Sequence, residues 1–307
     1  MGHSARAIGV FDSGVGGLTV LRALCDELPH EQFIYLGDTA RLPYGTKSAE
    51  SVVRYALQAA DALIGRGVKA LIIACNTASA VALPGLRARH AQLPVIGVVE
   101  PGADAAVAAT NNGCIAVLGT EATVRGGAYQ RAIAQRRPDA RVQASACQVF
   151  VALAEEGWTS GTVATATAQR YLAPLLAANA ECVNEARGAA LRAATADTLV
   201  LGCTHFPVLR RVIREVIGEQ VTIVDSAVTT ARAARALLSR HAMLAGRERW
   251  PERLRGQTDG SSHGTDDATA PGAVRFLATD GVARFASIGG RFLGRDIAER
   301  EIELIDL

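Results

Sequence analysis

The chain has 307 residues, 49% of them hydrophobic and 20% charged, enough for one large domain or, more commonly, two of ordinary size. Its 32 basic residues against 30 acidic ones leave no strong net field, which removes the electrostatic case for nucleic acid or an anionic membrane as partner. No apolar run reaches the roughly 18 residues of a membrane helix; no signal peptide is expected ahead of the first strand, and six scattered cysteines fit free thiols in a reducing cytoplasm.

Taken in order, Ala7-Ile8-Gly9-Val10-Phe11 fits a short buried parallel strand that runs into the glycine-rich loop Asp12-Ser13-Gly14-Val15-Gly16-Gly17. A helix follows, with Leu18, Leu21, Leu24 and Leu28 on one face and Pro29 as its stop. Phe33 to Leu36 is the second strand, ending at Gly37-Asp38-Thr39. A helix is predicted from Ser51, burying Val52, Val53, Ala56, Leu57, Ala60 and Leu63. The strand before Cys75, a helix to about His90 and the strand Val95 to Val99 continue the alternation. That alternation is the signature of an open parallel α/β sheet, whose strand carboxyl ends gather binding groups. Asp12, Asp38 and Cys75 all fall there.

Glu100-Pro101-Gly102 reads as a joint, after which the pattern restarts. Cys114 to Leu118 is a strand, and the residues after it look like a degenerate copy of the loop after the first strand. A helix is expected from Ala164 to about Ala178, and another from Pro207 that buries Val208, Leu209, Val212, Ile213 and Val216. Val221 to Val224 is a strand, followed by a helix from Asp225 to about His241. The strand Ala273 to Ala278, a helix Gly281 to Phe292 and Leu304-Ile305 close the chain. Glu181 to Ala196 is polar and alanine-rich, and Gly256 to Gly272 is almost devoid of large apolar residues.

Two stretches repeat one arrangement. Leu71-Ile72-Ile73-Ala74-Cys75-Asn76-Thr77 and Leu199-Val200-Leu201-Gly202-Cys203-Thr204-His205 are each a buried strand that stops at a thiol, with hydrogen-bonding residues and a helix beyond. A helix N-terminus favours thiolate while burial opposes it. One such cysteine is as readily a packed core residue as a reactive one. Two in matched contexts point to opposed acid–base groups, one removing a proton from a carbon acid and the other returning it on the opposite face. The base needs tuning by its neighbours, and Asp12, Glu155 and His205 are the candidates. Cys25, Cys114, Cys147 and Cys182 lack that context and read as structural.

Asp12-Ser13-Gly14-Val15-Gly16-Gly17-Leu18, Gly37-Asp38-Thr39-Ala40-Arg41 with Pro43-Tyr44-Gly45, Ala74-Cys75-Asn76-Thr77-Ala78 and Gly202-Cys203-Thr204-His205-Phe206-Pro207 together resemble the glutamate racemases of the aspartate/glutamate racemase family. They come in the family's order, and the resemblance runs from Ile8 to about Gly294. It implies an α/β fold of two pseudo-symmetric open-sheet domains with the site in the cleft between them. The first would comprise residues 1–99 and 225–307, the second residues 100–224. It also implies a cytoplasmic enzyme that needs no cofactor and no metal, interconverting L- and D-glutamate and supplying D-glutamate for peptidoglycan. Cys75 would act on the α-proton of D-glutamate and Cys203 on that of L-glutamate. Asp12 would assist the first thiol, His205 and Glu155 the second. Asp12, Ser13, Pro43, Tyr44, Gly45, Asn76, Thr77, Thr204 and His205 would hold the substrate. Gln148 and Ala152 stand where the family usually has prolines, and the stretches 179–196 and 256–272 read as surface insertions.

Other readings stay open on residues alone. The glycine loop lacks both the Walker and the dinucleotide spacing. Cys75, Cys203 and His205 lack paired-cysteine metal spacing, and the cluster Arg247, Arg249, Arg253 and Arg255 is most simply a solvated face. A racemase for aspartate and a two-lobed binding protein without chemistry are the competing functions. A homodimer is the expected assembly.

Overall fold

Two parallel sheets organise the computed structural model, which describes residues 6–176, 195–245 and 272–307. Cys182, His3, His263, the arginine cluster at 247–255 and all but the last residues of the stretches 179–196 and 256–272 lie outside the described residues. The first sheet contains β1 (Ile8–Asp12), β2 (Phe33–Gly37), β3 (Ala70–Ile73), β4 (Val95–Gly97), β9 (Val274–Ala278) and β10 (Ile302–Leu304), in the order β10-β9-β2-β1-β3-β4. The second contains β5 (Cys114–Gly119), β6 (Arg141–Ala146), β7 (Thr198–Gly202) and β8 (Thr222–Asp225), in the order β6-β5-β7-β8. Every pairing is parallel. The run β2-β1-β3-β4 therefore has the same order as β6-β5-β7-β8. The degenerate repeat in the sequence is a repeat of topology, with β3 and β7 as equivalent strands.

β1, β2, β3, β5 and β7 are buried along their whole length, as near-continuous apolar runs in a helix-covered parallel sheet should be. The connecting helices follow from local signals. α1 (Leu18–Glu27) buries Leu18, Leu21 and Leu24, and ends before Pro29. α2 is Ala49–Gly65, two residues longer at its start than predicted, because the Ser48 side chain accepts the Ser51 N–H and caps it. Val53 and Leu57 are only partly buried, and Ala59 takes their place on the core face. α3 (Asn76–Arg89) begins directly after Cys75.

The predicted joint at Glu100-Pro101-Gly102 is instead the first turn of α4 (Val99–Ala109). Proline is tolerated in a first turn, where its missing N–H would have had no partner. β4 accordingly stops at Gly97 rather than Val99. α5 (Glu121–Arg125), α6 (Ala128–Arg136) and α7 (Gln148–Glu156), together with the edge strand β6, fill the segment between Leu118 and Ala164, on which the sequence alone named no helix or strand. β6 has no apolar run to betray it: its residues Arg-Val-Gln-Ala-Ser-Ala are exposed or half-buried. α8 is Gly161–Leu176. After Cys203 the chain makes a 3-10 turn, Phe206–Leu209, before α9 (Arg210–Ile217), so Pro207 starts a tighter helix than expected. Val208 and Val216 are half-buried there, and Ile217 joins the core. α10 (Ser226–Arg240) is capped by Asp225, and α11 (Val282–Leu293) returns over the first sheet.

One buried ion pair braces the far end of the first sheet. Lys69 Nζ lies 2.5 Å from Glu31 Oε2, with side chains 0% and 3% exposed, and also donates to the Met243 carbonyl at 2.7 Å. Glu31 Oε1 accepts the Ala245 N–H, which ties the entry to β3 to the segment leaving α10. Removing one member of such a pair typically costs about 3–5 kcal/mol, because the other charge is left buried alone.

Candidate active site

The first thiol stands just beyond β3. The Ala74 N–H donates to the Phe11 carbonyl at 2.8 Å, so the chain stays in the sheet until Cys75, whose extended backbone makes it the N-cap of α3. The Cys75 sulfur accepts the Ala78 N–H at 3.5 Å, and its thiol donates to Ser13 Oγ at 3.6 Å. Burial, and then the neighbouring Asp12 carboxylate, push this thiol up to about 12, against the Ala78 N–H and Ser13. The Cys203 sulfur is close enough to add to the same upward push.

Asp12 ends β1 and is fully buried. Burial raises its carboxyl, while the charge of His205 and the N–H groups of the glycine loop pull it back down. Oδ2 accepts the Gly14 N–H at 3.0 Å, whereas Oδ1 has no partner in the protein. The loop lies where it does because Gly17 has no side chain: a Cβ there would sit 2.5 Å from that of Asp12.

The second thiol, Cys203, follows β7 and is 5% exposed, as Cys75 is. His205 Nδ1 is 3.9 Å from its sulfur, and Nε2 is 3.2 Å from Glu155 Oε1, at the end of α7. Burial disfavours an imidazolium here, but the Cys203 sulfur and the Glu155 carboxylate outweigh it and hold His205 up at about 10. The hydrogen bond to His205 in turn holds Glu155 below its ordinary value, helped by Arg284. Glu155 is the carboxylate that reaches His205; its neighbour Glu156 is exposed. Phe292 of α11 packs edge-on to the imidazole with ring centres 5.2 Å apart.

The two halves touch through small residues and hydroxyls. The Thr19 hydroxyl of α1 donates to the Thr204 carbonyl at 3.0 Å. A Cβ on Gly16 would lie 2.4 Å from Thr204 Oγ1 and 2.5 Å from the His205 ring, and one on Gly45 would lie 2.8 Å from Thr120. Thr77 Oγ1 is 2.9 Å from Thr120 Oγ1 and 3.4 Å from Thr123 Oγ1. The Tyr129 hydroxyl donates to Asn76 Oδ1 at 2.7 Å, which leaves the buried Asn76 Nδ2 without a partner.

Asp12, Ser13, Cys75, Asn76 and Thr77 are thus gathered opposite Cys203, Thr204, His205 and Glu155. Pro43 is exposed, just after the cis Leu42–Pro43 bond, and Gly45 is buried against Thr120. Tyr44 departs from the expected use of its hydroxyl, which donates to Asp38; that carboxylate also accepts from Arg41 and Thr279. Thr120, Thr123 and Tyr129 escaped the sequence reading as site residues. Thr120 carried a usable signal, since it follows β5 where the glycine loop follows β1. Among the described residues no group of three or more His, Cys, Asp or Glu could hold a metal ion.

The Asp/Glu/Hydantoin racemase family matches this sequence over residues 13–234. The chain belongs to that family. It is 46% identical over 294 residues to a glutamate racemase of Geobacter metallireducens, covering 96% of this chain and 95% of the relative. The fold matches a crystal structure of glutamate racemase from Bacillus anthracis with a TM-score of 0.81, at 33% identity and 98% coverage of both chains. It also matches the glutamate racemase of Francisella tularensis solved in complex with D-glutamate, with a TM-score of 0.79, at 31% identity and 99% and 98% coverage. Two α/β halves facing each other are therefore the architecture of this family as well as of this chain.

Proposed function

We propose that this family member is a glutamate racemase that inverts the α-carbon with two thiols and no covalent intermediate. The observation that carries the reading is the pair of 5%-exposed cysteines at equivalent strand ends, set in a chain 46% identical to a glutamate racemase. Cys203 as thiolate, partnered by the His205 imidazolium, takes the α-proton of L-glutamate. Cys75, held as a thiol by burial and by Asp12, returns a proton to the opposite face and yields D-glutamate. The reverse direction exchanges the roles. Asp12 Oδ1 and Asn76 Nδ2, the buried acceptor and donor without protein partners, suit the substrate's ammonium and a carboxylate. Ser13, Thr77, Thr204 and the backbone at Pro43, Tyr44 and Gly45 complete the cradle. The chemistry needs a carbon acid between two proton carriers, and no cofactor takes part in it.

The two halves are proposed as domains, residues 1–99 with 225–307 and residues 100–224. Sheet membership supports the division, although β8 runs one residue past it. Among the described residues no helix is long and apolar enough to cross a membrane. A cytoplasmic homodimer making D-glutamate for peptidoglycan is the accompanying proposal.

Circular dichroism tests the activity. L-Glutamate incubated with the protein should lose its signal to zero, while L-aspartate should keep its own. An unchanged glutamate signal would overturn the reading, and loss with aspartate alone would reassign the substrate.

A further inference from the structure

The second thiol's supporting carboxylate is gripped from the other half of the molecule. α11 lies on the first sheet's side, yet Arg284 Nη2 donates to Glu155 Oε2 at 3.0 Å and Arg291 Nη1 donates to the Glu155 carbonyl at 2.7 Å. The two arginines are two helical turns apart and so project from one face of α11. Glu155 uses its other oxygen, Oε1, for His205. A relay thus runs from Arg284 through Glu155 and His205 to the Cys203 sulfur, and it exists only while the two halves are together. Among the described residues no arginine does the same for the first thiol: the groups acting on Cys75 are Asp12, the Ala78 N–H, Ser13 and the Cys203 sulfur.

We propose that Arg284 is a positioning residue for the Cys203 half-reaction, fixing the Glu155 carboxylate so that it presents one oxygen to His205. The proposal rests on the two-thiol reading above. The Arg284 side chain is 64% exposed against 21% for Glu155. An ion pair this open contributes modestly, so losing it should cost about 2- to 5-fold in rate. Its signature is which proton transfer slows.

Rate constants alone cannot report that. L- and D-glutamate have equal free energies, so kcat/KM must be the same in both directions for any variant. Primary isotope effects can report it. Deuterium at the α-carbon of L-glutamate probes transfer to Cys203, and deuterium on D-glutamate probes transfer to Cys75.

In R284Q, kcat/KM should fall about 2- to 5-fold. The isotope effect on kcat/KM should rise with L-[2-²H]glutamate and fall with D-[2-²H]glutamate, as the Cys203 step becomes more rate-limiting. R284K, which keeps the charge, should return both values toward those of the unaltered protein. An unchanged rate in R284Q, or a slower rate with both isotope effects unmoved, would overturn the proposal. Undiminished racemisation in C203S would overturn the two-thiol reading itself, and this proposal with it.

Discussion

Cys75 and Cys203 follow equivalent strands of two sheets that share one strand order, and both are 5% exposed. Their surroundings nevertheless differ in charge. Around Cys75 the charge that acts most is a buried carboxylate, Asp12, which together with burial raises the thiol. Around Cys203 stands the imidazole of His205, held up at about 10 with the Cys203 sulfur and the Glu155 carboxylate among the causes. The position of Thr77 in the first half is taken by His205 in the second. A duplicated scaffold therefore places two thiols at equivalent strand ends, and a few unmatched side chains give each a different charge environment. The halves are not insulated either, since Asp12 and His205 each act on the other's charge.

The most severe way to probe this comparison is to remove one thiol at a time. C75S and C203S should each lose racemisation by on the order of 10²- to 10⁴-fold, the usual contribution of a positioned acid or base. Whatever slow solvent exchange of the α-hydrogen survives in heavy water should favour D-glutamate in C203S and L-glutamate in C75S. Full racemisation in either variant would break the two-carrier picture.

A smaller loss is expected where the halves meet. In G16A the added methyl has no room against Thr204 and His205, and His205 is pinned by Glu155 and Phe292. Such overpacking typically costs about 1–3 kcal/mol, and a displacement near 1 Å can cost about 10²-fold in rate. We expect a lowered Tm and a kcat/KM reduced by about 10- to 100-fold; a fully active variant would mean that this contact does not set the thiol separation.

The gentlest change sharpens the electrostatic difference. His205 has a folded value of about 10 against an ordinary one near 6.5. Its charge therefore contributes to folding fully below pH about 6.5, and that contribution is lost as pH rises through about 10. E155Q removes one of the groups raising His205, so its ring should titrate at lower pH by NMR, with a shallower alkaline loss of Tm and about 10-fold lower kcat/KM. An unmoved titration would deny Glu155 its part.

Much of this was legible in the chain. The strands ending at Asp12, Asp38, Cys75 and Cys203 are apolar runs with polar stops, and burial on both faces makes such runs easy to read. β6 was not legible, because an edge strand with exposed residues has no apolar signature. Glu100-Pro101-Gly102 misled for a related reason: a proline in the first turn of a helix and a proline in a linker look the same until the helix finds something to pack on. Tyr44 was placed in the right loop, but its hydroxyl was claimed by Asp38, a choice among nearby acceptors that no spacing encodes.

What the sequence by itself determined is local: which strands end in thiols, where glycine permits close approach, and the duplicated order of strand, loop and helix. These follow from side-chain size, polarity and backbone freedom, all properties of neighbouring residues. The tertiary structure decided what each thiol faces. The charges beside each sulfur come from other segments, Asp12 to Cys75, and His205, Glu155 and Arg284 to Cys203. Electrostatic interaction falls with distance through space and takes no account of separation along the chain, so that environment appears only when the two halves close on each other.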